Sequence, residues 1–173
     1  WSSAAQLFRE RMAFLHSAVG TPWPDVSDAA LAQRADEWLA PFLGSNRPDL
    51  LQGLRTLLPW PEAAKMDELA PERITTPVGT AKVDYSSGKP TVRLRVQEAF
   101  GWTKTPRLAG VPVVLELLSP AQRPLAITED LESFWAGPYK DVRAEMRGRY
   151  PRHPWPEDPL TAAPTRRAKP RKA

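Results

Sequence analysis

The segment VPVVLELL, residues 111–118, decides how the rest of this 173-residue chain is interpreted. Its side chains are apolar on both faces of an extended strand, which is typical of a central strand in a sheet. Its one charged residue, Glu116, is either edge-facing or the partner of a buried arginine such as Arg107 or Arg123. We therefore predict a sheet built around this segment, with Glu116 in a structural role.

Shorter segments on both sides predict the neighbouring strands. Residues 91–96 alternate, with Val92, Leu94 and Val96 facing inward and Thr91, Arg93 and Arg95 facing outward. PLAIT at 124–128, RITTP at 73–77 and TAKVDY at 80–85 indicate further strands, and SSGKP at 86–90 is a turn. The outer face of strand 91–96 is therefore predicted to be basic.

Helical periodicity precedes and follows these strands. Apolar stripes predict helices over 3–19 and 48–58, and Pro61 can begin a further short helix. Between them, a stripe over 31–42 predicts a second helix that Ser27 or Asp28 caps and that stops at Gly44. Thr128 can cap a later helix, and the last helix begins at Pro138 and closes at Gly148. The predicted fold class is α+β: a helical segment, 1–70, packed on a small mostly antiparallel sheet with C-terminal helices, 71–160, and a basic extended tail, 161–173.

Composition limits the classes of function. The chain has no cysteine, which excludes disulfides and thiolate metal sites and favours a cytoplasmic location. No apolar run reaches the about 20 residues that span a bilayer. The chain starts at Trp1, and its helical pattern is under way by Ala5, so we expect a piece of a longer polypeptide.

Charge is concentrated at the C-terminal end. Residues 161–173 contain five of the 24 basic residues and none of the 20 acids, so the remainder is close to neutral. On a helical wheel Lys140, Arg143 and Arg147 share one face. Arginines and aromatic rings alternate in the proline-rich segment that follows, residues 149–160, which we call the arm. Cations beside rings are typical of nucleic-acid binding. The candidate binding residues are Arg93, Arg95, Lys140, Arg143, Arg147, Arg149, Arg152, Tyr150, Trp155, Arg166, Arg167, Lys169 and Arg171.

A structural role for the rings is the alternative. Tyr150 and Trp155 stand among many prolines, and they can simply pin the arm to the body of the protein. The sequence leaves this choice open.

Motifs for catalysis are missing. Gly88-Lys89 resembles the end of a phosphate-binding loop, but Val83 replaces the first glycine and Pro90 replaces the Ser/Thr that holds the metal. The two histidines, His16 and His153, are far apart in the sequence. We predict no catalytic or metal residues in this chain and no cofactor bound to it.

Several segments carry a family resemblance. MDELAP (66–71), VDYSSGKP (83–90), VRLRVQEAFGW (92–102), LLSPAQRPLAIT (117–128), GRYPRHPWPEDP (148–159) and PTRRAKPR (164–171) resemble the C-terminal region of the bacterial DEAH-type ATP-dependent helicases of the HrpB family. The resemblance covers about 60–171. The family usually has a longer turn with an arginine where this chain reads LAGVPV at 108–113, so no basic contact is expected there.

The resemblance implies a parent protein that hydrolyses ATP with Mg²⁺ in two motor domains and unwinds RNA or related duplexes. This chain then is an accessory region that accompanies the motor in cis. Two hypotheses follow: it binds RNA or single-stranded nucleic acid, or it is a docking domain that regulates the motor or recruits a protein. Pro-flanked rings such as Trp23, Trp60 and Trp155 favour the second hypothesis, because they are rigid anchors.

Overall fold

The first helix, α1 (Ser3–Ala18), begins where the Ser2 hydroxyl accepts a hydrogen bond from the Ala5 amide at 3.1 Å. Met12 and Leu15 are buried, as the apolar spacing predicts, and Gly20 follows the helix with a φ of +82° that favours glycine. The computed structural model describes residues 1–44 and 46–168.

The second predicted helix begins as expected, because the Ser27 hydroxyl accepts from the Ala30 amide at 3.3 Å, but the prediction that it continues unbroken to Gly44 is wrong. The structure has α2 (Asp28–Gln33), α3 (Ala35–Trp38) and a 3-10 turn at Ala40–Phe42. In a continuous helix the Leu31 carbonyl would accept from residue 35. Here it accepts from the buried Trp38 indole nitrogen at 2.8 Å, so a side chain competes with the helical hydrogen bond.

Two further helices, α4 (Leu50–Thr56) and α5 (Glu62–Leu69), complete a helical unit comprising Trp1–Glu72, Asp84–Pro90 and Leu108–Val111. Its core contains Leu54, Met66 and the Phe14–Tyr85 ring pair, whose centroids are 5.4 Å apart. Buried Arg11 links α1 to the end of α5, donating to the Ala70 carbonyl at 2.6 Å and forming ion pairs with Asp67 and Glu72.

The second unit, here called the sheet unit, comprises Arg73–Val83, Thr91–Arg107 and the residues from Pro112 onward. Its strands are β1 (Arg73–Thr76), β2 (Gly79–Lys82), β3 (Thr91–Arg95), β6 (Val114–Leu118) and β7 (Pro124–Thr128). Between β3 and β6, the chain forms the short strands β4 (Arg107–Leu108) and β5 (Val111–Pro112), which pair with each other.

The sheet order confirms a central strand, but it covers residues 114–118 and not the whole predicted segment 111–118, because Val111–Pro112 pairs with Arg107–Leu108 in a separate small sheet. β6 pairs in parallel with β3 and antiparallel with β7, and β1 pairs antiparallel with β2. Val92, Leu94, Leu115 and Leu117 are buried on the inner face, and Arg93 points outward, as predicted. The α+β, mostly antiparallel fold class is confirmed.

Two helices follow the sheet, α6 (Leu131–Ala136) and α7 (Tyr139–Arg149). The capping prediction was wrong, because Asp130, not Thr128, accepts from the Ser133 amide at 3.1 Å. Gly148 lies inside α7 and does not close it. Phe100, Phe134, Trp135 and Tyr139 form an aromatic core with ring centroids 5.2–6.3 Å apart.

None of the helices in the described part of the chain has the length and apolar content needed to cross a bilayer. The predicted division at residues 70 and 160 stays a prediction.

Candidate nucleic-acid interface

The C-terminal helix α7 separates apolar and charged faces, as its sequence predicts. Tyr139 and Met146 are buried, whereas Lys140, Arg147 and Arg149 are exposed. Arg152 is exposed in the segment that follows. We call these four exposed cations, Lys140, Arg147, Arg149 and Arg152, the arm surface.

Arg143 has a different position, although it shares the helix face of Lys140 and Arg147. Its Nε donates to the Trp155 carbonyl at 2.7 Å, and its Nη2 lies 3.8 Å from the Glu157 carboxylate. The side chain is mostly buried against the arm. Arg143 therefore holds the arm on α7, and less of its charge is available to a ligand.

Trp155 is also a structural residue. Only 8% of it is exposed, and its indole nitrogen donates to the Tyr150 carbonyl at 3.0 Å. A ring this buried has no open face for a base to stack on, so the base-stacking role predicted for Trp155 is not compatible with this structure. Tyr150 is half-buried, with its ring 6.3 Å from that of His153 in an edge-on contact.

Backbone carbonyls of the arm accept hydrogen bonds from other parts of the sheet unit. Gln97 donates to the Pro154 carbonyl at 3.2 Å, and the Tyr139 hydroxyl donates to that of Pro156 at 2.7 Å. Burial raises the pKa of Tyr139 to about 12, so its hydroxyl keeps its proton and remains a donor at neutral pH. The Gly101 amide donates to Pro159 at 2.9 Å. These bonds fix the path of the proline-rich arm.

His153 lies in an electropositive part of this arm. Burial lowers its pKa below the usual value, and the charges of Arg95 and Arg152 lower it further. The ring is therefore harder to protonate than an ordinary histidine side chain. The predicted cations Arg95 and Arg152 are close enough to affect the same group.

The cations of β3 lie near a second basic feature. A cavity of about 290 Å³ is lined by residues of β1, β2 and β3, by Glu98 and by Arg166, and we call it the hairpin groove. Arg166 donates to Glu98 at 3.2 Å, and Arg95 donates to the Arg166 carbonyl at 3.4 Å. The groove's four cationic residues are Arg73, Lys82, Arg93 and Arg166.

Glu116 corrects one prediction about ion pairs. Its carboxylate accepts from the Nε of Arg93 at 2.7 Å. Sequence reasoning had offered Arg107 or Arg123 as its partner. The parallel register places residues 93 and 116 directly opposite each other, and the sequence alone does not reveal that register.

Sequence reasoning missed Arg73 and Lys82 as part of a basic site. They are the first residue of β1 and the last residue of β2, so they are direct partners at the open end of the hairpin. An antiparallel reading of RITTPVGTAK, with its turn at Pro77-Val78, would have paired them. This signal was present in the sequence.

The remaining predicted cations lie in the tail. Arg167 is exposed, and its amide donates to the Thr165 hydroxyl at 3.0 Å. Lys169 and Arg171 lie outside the described residues. Within residues 1–44 and 46–168, no three His, Asp or Glu side chains come together in a way that could hold a metal ion.

Comparison with known proteins identifies close relatives. The model of a family described as "ATP-dependent helicase C-terminal" matches residues 38–159. The ATP-dependent RNA helicase HrpB of Escherichia coli K12 is 42% identical over 183 aligned residues, covering 98% of this chain and 22% of that protein. A crystal structure of the E. coli DExH-box NTPase HrpB is similar over 97% of this chain and 22% of that one, with a TM-score of 0.84 and 40% identity.

A second structure, of the E. coli DEAH/RHA helicase HrpB, covers 90% of this chain and 21% of its own, with a TM-score of 0.68 and 37% identity. The chain thus spans about a fifth of the length of the relatives it matches.

Proposed function

The chain belongs to the ATP-dependent helicase C-terminal family, and from this premise we propose that it is a non-catalytic accessory region that binds nucleic acid beside the helicase motor in cis. RNA or single-stranded nucleic acid is the proposed ligand. ATP hydrolysis and Mg²⁺ binding are assigned to the motor part of the parent protein.

One observation carries this proposal. Residues 146–156 contain three exposed arginines, Arg147, Arg149 and Arg152, and no acidic residue. The backbone beneath them is held by the bonds of Gln97 and Arg143 to the arm. Exposed cations on a fixed backbone suit phosphate contacts that do not depend on base sequence.

A titration of the chain with fluorescently labelled single-stranded and duplex RNA tests the proposal. We expect weak binding to both, with an affinity that falls steeply with salt, because each engaged phosphate releases counterions. Binding should depend little on base sequence, since the buried Trp155 cannot stack on a base. Absence of salt-dependent binding to either RNA would refute the proposal.

A docking role is the second candidate, and Trp60 supports it. Of the three Pro-flanked tryptophans, Trp23 and Trp155 are buried, whereas Trp60 is 78% exposed between Pro59 and Pro61. An exposed tryptophan on a proline-stiffened segment is a typical anchor in protein interfaces.

This second candidate is tested by mixing the chain with a separately produced motor part of the parent, after nuclease treatment. Trp60→Ala should weaken the complex, whereas Leu43→Ala, at an apolar residue that is 55% exposed, should not. Equal binding by the two variants would count against Trp60 as the anchor.

A further inference from the structure

We propose that the hairpin groove is a binding site for a single phosphate group. The inference rests on the proposed function and extends it, since it adds a built site to the cations of the arm surface. The phosphate can belong to a nucleic-acid backbone or be free in solution, because the same groups recognise both.

The groove brings like charges close together. Arg73 and Lys82 are direct cross-strand partners in the β1–β2 hairpin. Like charges directly opposite each other destabilise an antiparallel pair. Arg93 and Arg166 line the same groove, and Glu98 is the one acidic residue among the groove-lining residues that the structure describes. Arg93 and Arg166 are ion-paired with Glu116 and Glu98, so the repulsion that a bound anion would offset is mainly that between Arg73 and Lys82.

The side chains of Arg73 and Arg166 are held in position by hydrogen bonds. The Nε of Arg73 donates to the Thr80 hydroxyl at 3.0 Å, and its Nη2 donates to the Thr80 carbonyl at 3.2 Å. Arg166 uses its Nε for Glu98, so its terminal nitrogens can serve a second acceptor. Guanidinium groups fixed in this way bind phosphate with little loss of side-chain entropy.

Gly79, the first residue of β2, lies beside the groove and has a backbone conformation that favours glycine. Its φ is +139°, and a Cβ at this position would lie 3.4 Å from the Nη2 of Arg166. Glycine here lets the hairpin adopt a backbone conformation closed to most residues. The guanidinium of Arg166 would be in ordinary van der Waals contact with a side chain at this position. The groove therefore depends on a position that accepts few substitutions.

Two threonine hydroxyls complete the site. Thr80 accepts from Arg73, so its own proton can be donated to an anion. Thr76 also lines the groove and is only 7% exposed, and its hydroxyl has no hydrogen-bond partner among the described residues. A buried hydroxyl without a partner is uncommon. Its proton is therefore free to be donated to a phosphate oxygen in the groove.

The size of the groove limits the ligand. Its volume of about 290 Å³ is at the lower limit of typical ligand pockets, about 300–1,000 Å³. This space suits one phosphate group with part of its sugar, and is small for a whole nucleotide with its base held inside.

Inorganic phosphate is the first probe. In nitrogen–proton correlation spectra of the 173-residue chain, phosphate should cause saturable shifts confined to the amides of β1, β2 and the start of β3 and to the Nε–H of Arg73 and Arg166. Scattered shifts that do not saturate would overturn the proposal.

Charge reversal at Lys82 separates the groove from general electrostatics. Lys82→Glu should weaken phosphate and RNA binding about tenfold, the size of a lost charge-assisted hydrogen bond. Lys104→Glu, an exposed lysine of the same unit, makes the same change in net charge and should cost less than about twofold. Equal losses from the two substitutions would overturn the groove as a site while leaving nucleic-acid binding in place.

Thr76→Val tests the site with a variant that is expected to remain folded. It removes the hydroxyl and nearly keeps the shape of the side chain, so the variant should stay folded and bind phosphate several-fold more weakly. Unchanged phosphate affinity in this variant would refute the role of Thr76. Saturable phosphate binding at the groove by a chain that does not bind RNA would refute the proposed function and identify free phosphate as the ligand.

Discussion

Removing two arginines from the arm surface should change the salt dependence of RNA binding by a predictable amount. The double substitution Arg147→Ala and Arg149→Ala removes two exposed cations at the end of α7, where neither side chain is part of the core. Exposed substitutions of this kind change stability by about 0.5 kcal/mol or less. A change in binding would therefore report on the contacts and not on unfolding.

The magnitude follows from the number of exposed cations. If each of the four cations of the arm surface engages one phosphate of single-stranded RNA, the slope of log K against log salt is about −2.8, at about −0.7 per phosphate. Affinity should then fall about 50-fold between about 50 and about 200 mM salt. With two cations left, the slope should be about −1.4, and the fall about sevenfold.

Fluorescence anisotropy with a labelled single-stranded RNA over this salt range measures both slopes. The matched control is Lys65→Ala with Lys104→Ala, which removes the same charge from exposed positions outside the arm surface. Its slope should equal that of the unmodified chain. Slopes of the two double variants that agree within experimental error would refute the arm surface as the phosphate contact.

Four further predictions concern stability. Arg11→Met should lower the free energy of unfolding by about 1–3 kcal/mol, because the buried Ala70 carbonyl loses its donor while Asp67 and Glu72 stay solvated. Arg34→Met, which removes an exposed ion pair, is the control and should lower it by less than about 1 kcal/mol in the same urea titration. Thr76→Val should raise the free energy of unfolding by about 1 kcal/mol, since it removes a buried hydroxyl without a partner, and an unchanged or lower urea midpoint would contradict this. Trp155→Ala should cost about 3–5 kcal/mol by loss of a buried ring, whereas Trp60→Ala should have little effect on thermal unfolding. Because the pKa of His153 is lowered in the folded state, the unfolded chain binds a proton more readily just below pH 6.5, and the free energy of unfolding should rise with pH through that range. His153→Gln should remove this rise when unfolding is compared at about pH 5.5 and about pH 7.

Local patterns predicted the elements of the sheet unit well. The alternation around Leu94 and the doubly apolar segment around Leu115 identified an outer and a central strand, because burial of alternate side chains leaves a period of two in the sequence. The same reasoning placed the basic residues of β3 on the outer face. These features depend on neighbours in the chain and need no knowledge of the tertiary structure.

Features that depend on distant residues were not predictable in this way. The second predicted helix is interrupted where the Trp38 indole donates a hydrogen bond to the Leu31 carbonyl. Hydrophobic periodicity does not predict such a bond. Glu116 pairs with Arg93 through a parallel register that no local pattern specifies. The burial of Trp155 depends on how the arm packs, which its composition of rings and prolines left open.

The hydrogen bonds between the tail and the turn after β3 also set an order of events during synthesis. Arg166 bonds to Glu98, 68 residues earlier, and the Thr165 amide bonds to the Gln97 carbonyl. A ribosome adding about 5–20 residues per second needs about 3–14 s to cover that interval. During this time the nascent chain carries Gln97 and Glu98 without these partners, so completion of this edge must wait for residues 165 and 166 to emerge.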